Sequence, residues 1–393
     1  MAASASSSSP LSDRAQAAPR PPKDVSVQGL RGLAVLLLVA SHVYGLDAEV
    51  GLRQPRGSFG HYLTESVEPL RMPLFTVISG YVYALRPLSS PQGLPGMVRG
   101  KARRLLLPLL VLTAVVGGLQ VLSGSGGGDL TWTDVAKGYL FGYSHLWFLY
   151  AIFWVFLVAG VLDATGRLGR VRSWAAAWAA GALVHVLVLI PDRFDVFSLD
   201  GALQLFPFFL LGYALRRHEP LFRGTRLVWA SAVVFALSTA AEQVIILTDA
   251  VVPGTADRAL DDVVATSGLV VLFRVRHRLR SRPLAWVGTY AFTIYLLHTT
   301  ANAGLKTVLG AVGVDSVPVL FSTGLAAAVL LPVLFHLTAG RNALVRTFVL
   351  GEKPVPAPMA PPAARGDAAG ADAAGADAAG ADAARGRGPG SAR

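Results

Sequence analysis

The chain is written in long apolar runs separated by short polar clusters. Ten such runs fall at 27–46, 70–86, 104–123, 139–162, 174–191, 203–215, 226–247, 260–274, 284–302 and 317–338. A helix needs about 17–25 residues to cross the hydrocarbon core of a bilayer. All but two of the runs reach that length, 203–215 and 260–274 falling short. The pattern predicts an all-α, polytopic membrane protein with about ten transmembrane helices. Residues 1–26, rich in Ser, Ala and Pro, are expected to form a disordered cytoplasmic arm, and 27–340 the membrane domain. Residues 341–393, which include repeated GADAA units, are expected to be a low-complexity cytoplasmic tail.

Composition sharpens this picture. Of 393 residues 53% are hydrophobic and only 15% charged, where soluble chains carry about 25% charge. There is no cysteine, which removes disulfides, thiolate metal sites and a thiol nucleophile together. The net charge of +11 is spread in short bursts between the apolar runs, so a nucleic-acid partner is not expected. The bursts follow a topology instead. With alternating loops and a cytoplasmic N-terminus, the inner segments hold 23 Lys/Arg; the outer ones hold seven, Arg53, Arg56, Arg71, Lys137, Arg193, Arg258 and Lys306. This obeys the positive-inside rule and puts both termini in the cytoplasm. Multi-pass insertion in the plasma membrane, with the lipid bilayer as a partner, is the expectation.

Polar groups inside apolar spans are costly and usually face the bundle interior. The first span carries two, Arg31 and His42. Eleven residues at ~100° each make three turns and about 20°, so both project from one face, roughly 16 Å apart along the axis. Taken singly, Arg31 reads equally well as an interfacial anchor and His42 as a core histidine bonded to a carbonyl.

The remaining segments extend the pattern. RMPLFTVISGYVYALR occupies 71–86, KARRLLLP 101–108, SHLWFLYAIFW 144–154, FPFFLLGYALRR 206–217 and WVGTYAFTIYLLHTT 286–300. Together with the Arg31-X10-His42 element, in this order over about 25–340, they resemble the integral-membrane acyltransferase 3 family, whose members O-acylate sugars and related acceptors. Lys101 stands where the family often has arginine, which weakens a bidentate phosphate grip there. The chain resembles the stand-alone, membrane-only kind.

The resemblance implies an acyl-CoA-dependent O-acyltransferase. Acyl-CoA, acetyl-CoA first among the candidates, would be a co-substrate, with no permanently bound cofactor and no metal. The acceptor would be a cell-envelope glycan or glycosylated small molecule. His42 would be the general base or a transient acyl carrier, the sequence leaving both open. Arg31, Lys101 and Arg104 would hold the donor's phosphates, Arg103 reading as a topology signal. Arg71, Tyr81, His145, Trp147, Glu242 and His298, with Asn302 near the last, are candidates for the acceptor side. Ser79 and Gly80 read first as close-packing positions, and His185 and His336 as packing or interfacial residues. Glu242 is a carboxylate inside a span, and reads as either an acceptor-binding group or a loop-end charge near water. A secondary transporter or exporter of a sugar-linked or lipid-linked compound is the competing reading. Against it, no pair of matching broken helices recurs in two halves. Residue usage heavy in Ala, Gly, Arg and Val points to a bacterium with a GC-rich genome.

Overall fold

Asp24 starts the first helix. Its carboxylate accepts from the Ser26 backbone N–H at 2.9 Å, satisfying one of the amides that a helix N-terminus leaves unpaired. Burial works to raise this carboxyl, but hydrogen bonds from Ser26 and the charge of Arg276 outweigh it and hold it below the usual carboxylate value. The structure is a computed structural model and describes residues 24–45, 51–52, 55, 57–123 and 130–353. The arm up to residue 23, Arg53 and Arg56, and the tail from 354 lie outside the described residues.

Among the described residues every regular element is helical. In chain order these are α1 (Val25–Tyr44), α2 (Phe59–Ser66), α3 (Glu68–Tyr83), α4 (Leu94–Lys101) and α5 (Leu107–Ser123). Then come α6 (Trp132–Phe141), α7 (Trp147–Ala164), α8 (Val171–Leu187), α9 (Leu199–Arg217) and α10 (Glu219–Phe222). The series closes with α11 (Thr225–Thr248), α12 (Gly254–Val275), α13 (Arg282–Thr289), α14 (Ala291–Ala311) and α15 (Val317–Leu337).

Each apolar run overlaps a long helix, but several boundaries move. The run at 139–162 is interrupted, because Gly142 at φ 82° and Ser144 at φ 50° turn the chain between α6 and α7. The run at 284–302 breaks at Tyr290 into α13 and α14. The two short runs belong to longer helices, α9 and α12, whose polar ends disguised their length. Among the described residues six stretches are long and apolar enough to cross a membrane: Val25–Tyr44, Pro91–Leu122, Trp132–Ala164, Val196–Arg217, Thr225–Thr248 and Val317–Arg341. The other long helices are shorter or more polar. α3 and α8 have 16 and 17 residues, α12 opens with Asp257, Arg258, Asp261 and Asp262, and α14 carries His298, Asn302 and Lys306. This is a multi-pass membrane protein.

Two close crossings set the position of α1 and α3. A Cβ on Gly32 would lie 2.0 Å from the Leu284 carbonyl oxygen, and one on Gly288 2.0 Å from that of Gln28. The same reciprocity joins α3 and α9, where a Cβ on Gly80 would meet the Phe209 carbonyl oxygen at 2.0 Å and one on Gly212 that of Val77 at 2.0 Å. Lipid supplies no hydrophobic drive between helices, so small residues that let backbones touch take over that task. Gly80 thus packs as its sequence context implied. α3 lies at the centre, packed against α1, α9 and α12 through Leu74, Val77, Ile78 and their neighbours.

Candidate functional site

Three imidazoles from three separate segments meet beside α3. His42 comes from the last turn of α1, His298 from the middle of α14, and His145 from the 3₁₀ turn Ser144–Leu146 ahead of α7. The ring centroid of His42 lies 5.0 Å from that of His298 and 6.3 Å from that of His145, and the latter two are 4.8 Å apart. The left-handed Ser144 holds His145 in place; such a conformation is uncommon outside glycine and concentrates at functional sites. Tyr295 clamps the turn by donating its hydroxyl to the His145 carbonyl.

Backbone hydrogen bonds fix two of the rings. His42 Nδ1 lies 2.9 Å from the Leu38 carbonyl oxygen, and His298 Nδ1 2.8 Å from that of Tyr295. A carbonyl can only accept, so in both neutral rings Nδ1 carries the proton and Nε2 a free lone pair. His298 Nε2 and His145 Nε2 are buried without a partner. The Oδ1 of Asn302, one turn beyond His298, is also unpartnered, as are Nε and Nη1 of Arg71. Arg71 is 5% exposed, spends only Nη2 on Glu68 at 3.3 Å, and is close enough for its charge to act on His42. Buried polar groups almost always find partners. Orphaned donors and acceptors around three imidazoles mark a cluster with hydrogen-bonding capacity to spare. Among the described residues no three His, Asp or Glu side chains converge as a metal ion would require.

A cavity of about 550 Å³ lies next to this cluster and meets it at Tyr295, although neither the three histidines nor Arg71 line it. Its inner wall is apolar, with Phe75, Phe148 and Tyr295, and Tyr295 is also packed 5.5 Å from the His145 ring. Its mouth is cationic, with Arg31, Arg86, Lys101 and Arg104. Lys101 and Arg104 flank the start of a π-helical stretch, Ala102–Leu106, whose wider turn is a feature often found at functional sites. The Arg31 guanidinium has no hydrogen bond or counter-ion among the described residues. Lys101 Nζ sits 3.3 Å over the Phe156 ring. Arg104 lies 4.0 Å over Phe292, donates to the Leu350 carbonyl and stands 3.7 Å from Glu352. Of these cations Glu352 answers Arg104, and Lys101, Arg31 and Arg104 act on one another as like charges.

The other expected residues separate. Ser79 lines the cationic cavity, but Tyr81, two positions on and about 200° around the helix, faces α12 and stacks 5.5 Å from Phe273. Arg103 does not line the cavity. Trp147, two residues past His145, packs into the space left by Gly142 and Gly201. Glu242, on α11, lines a different cavity, on the far side of α3, and is only 7% exposed, so it is no loop-end charge in water. His185 bonds Asp262 at 3.1 Å and His336 bonds Thr293 at 2.9 Å, which makes both structural partners. Asp163 went unnoticed in the sequence because it reads as a helix-end charge. It is buried and accepts from Tyr83, Tyr213 and the Leu88 amide at 2.9, 2.8 and 2.7 Å, tying down the segment that forms one lip of the cationic cavity. Tyr295 stands in the 286–300 segment, but no local pattern gives it a role, because its hydroxyl bonds a residue 150 positions away.

Residues 24–337 match the acyltransferase domain family, acyltransferase 3. Comparisons with curated proteins and with solved structures return no match. The match spans most of the chain, and the protein belongs to this family of membrane acyltransferases.

Proposed function

We propose that this acyltransferase moves an acyl group, acetyl first among the candidates, from cytoplasmic acyl-CoA to a hydroxyl of a glycan or glycosylated small molecule. The protein would sit in the plasma membrane with ten membrane-crossing helices and both termini inside. The observation that carries the reading is the adjacency of the cationic cavity and the histidine cluster, which meet at Tyr295. A mouth of under-neutralised cations suits the phosphates of a nucleotide-bearing donor, and its apolar inner wall leads a thioester arm toward the histidines.

The chemistry then needs three acts from residues of this chain. The acceptor hydroxyl gives its proton to Nε2 of His42 as its oxygen bonds the acyl carbon. The oxyanion of the tetrahedral intermediate is met by the unpartnered Nε–H and Nη1–H of Arg71, donors already oriented and shielded from water. As the carbon–sulfur bond breaks, the departing thiolate takes the proton back from His42, leaving free CoA and the ester. Arg31, Lys101 and Arg104 hold the donor, and His145, His298 and Asn302 orient the acceptor hydroxyl.

The test is direct. Purified protein in lipid vesicles, given labelled acetyl-CoA and a panel of glycan acceptors, should release free CoA in step with labelled acceptor. Vesicles that move label across the bilayer without forming any ester would instead support the exporter.

A further inference from the structure

The second polar cavity lies across α3 from the histidines. Pro69 and Pro73 face it, while Phe75 and Ser79 face the cationic cavity. Residues 71 and 73 differ by about 200° around the helix axis, so α3 is the wall between the histidine site and this space. The cavity measures about 370 Å³ and its other walls come from α2, α8, α9, α11 and α12.

Six carboxylates line it: Glu65, Glu68, Glu242, Asp257, Asp261 and Asp262. Three are answered within the protein, Glu65 by His61 at 3.1 Å, Glu68 by Arg71 at 3.3 Å and Asp262 by His185 at 3.1 Å. Glu242, Asp257 and Asp261 have no ion pair or hydrogen bond among the described residues. Arg258, on the same helix as both aspartates, is spent on Asp200 at 2.8 Å and on the carbonyls of His185 and Val188. Glu242 is more than nine-tenths buried, and its Oε2 has no partner. Pro73 also has no N–H to give the Pro69 carbonyl, which adds an acceptor without its regular helical donor to the same wall.

An acidic surface by itself would signal little. A carboxylate removed from water and left without a donor is different, because its desolvation goes uncompensated unless something cationic arrives. The groups do not converge as metal ligands. The charge is spread along the walls, which suits a ligand whose own charge and donors are spread in the same way.

We propose that this cavity is a binding site for a small organic molecule bearing ammonium groups, held by Glu242, Asp257 and Asp261. Its N–H donors satisfy the Glu242 oxygen and the neighbouring aspartates. The site is distinct from the acyl-transfer chamber and touches it only through Glu68, which lines the cavity and holds Arg71. Polyamines and amino sugars share this chemistry and fit a space of this size.

The full chain in a neutral detergent, at fixed ionic strength, is titrated calorimetrically with spermidine, with glucosamine and with glucose. Saturable binding of either amine with none of glucose supports the site, and the tighter amine names the source. Glu242→Gln and Asp261→Asn should each weaken amine binding by about ten- to hundredfold, the cost of one charge-assisted contact. Acetyl-CoA binding, measured on the same samples, should be unchanged and serves as the check of folding. Glucose binding as well as glucosamine, no amine binding at all, or amine affinity unaltered in both well-folded variants would each overturn the proposal.

Discussion

The two polar cavities are opposites built against one helix. The cationic one opens beside the C-terminal half of α3 and holds Arg31, Lys101 and Arg104 against a single carboxylate, Glu352. The acidic one lies beside the N-terminal end of α3 and is lined by six carboxylates, of which Glu242, Asp257 and Asp261 have no ion pair or hydrogen bond among the described residues. Both hold charge that the protein does not fully answer, and its most buried member on the acidic side, Glu242, is the kind of group retained for something that arrives from outside. They differ in what lies beyond. Behind the apolar wall of the cationic cavity, across Tyr295, stand three imidazoles, whereas the acidic cavity is lined chiefly by carboxylates and apolar side chains. Charge alone marks a binding place. Only charge joined to a base and an oxyanion donor makes a reaction.

If that contrast is right, variants on the two sides of α3 should separate cleanly. The largest effect is expected at His42. His42→Ala should lower acyl transfer by about 10²–10⁴-fold while membrane insertion and donor binding persist, and a histidine moved to 41 or 43, turned about 100° off the face, should not restore it. Near-normal transfer by well-folded His42→Ala protein would remove the base from the mechanism. Next comes Arg71→Gln, which deletes the charged donors. A drop of about 10²–10³-fold in kcat, with donor affinity unchanged, is the outcome expected of an oxyanion-stabilising group. A rise in acceptor KM with normal kcat would reassign Arg71 to acceptor binding.

Arg31→Ala, Lys101→Ala and Arg104→Ala sharpen the comparison further. Each should weaken acetyl-CoA binding by about ten- to hundredfold, the loss of a charge-assisted phosphate contact worth roughly 1.5–3 kcal/mol. Saturated turnover should fall less, and Asp261→Asn should leave donor affinity alone. Equal donor affinity in all three cavity variants, read by equilibrium binding, would return these cations to membrane topology. The smallest effect belongs to Glu352→Gln. Glu352 lies 3.7 Å from Arg104 and 3.1 Å from Arg346 on a part-exposed surface. Removing its charge frees Arg104 for the donor, and a pair of that kind is worth about 0.2–1 kcal/mol. Donor affinity should therefore rise by less than about sixfold; a fall would mean that Glu352 positions Arg104 rather than competing for it.

The sequence by itself determined that the chain is helical and repeatedly crosses a membrane, since periodicity and length of apolar runs are local properties. It also determined that Arg31 and His42 share a face, because eleven residues close three helical turns in any α-helix. The basic cluster at 101–104 and the histidines at 145 and 298 stood out for the same local reason, as polar groups in apolar context. What only the tertiary structure decided is which of them meet. His42, His145 and His298 come together because glycine crossings bring α1 against α13 and α3 against α9 to backbone contact, and because a left-handed Ser144 turns the chain ahead of α7. The same packing sends Tyr81 and Glu242 to the other side of α3, although both looked equal to Arg71 as isolated polar positions. A helix face is written in the spacing of its residues. Which neighbour that face meets is set by contacts between segments far apart in the chain, and no local pattern encodes it.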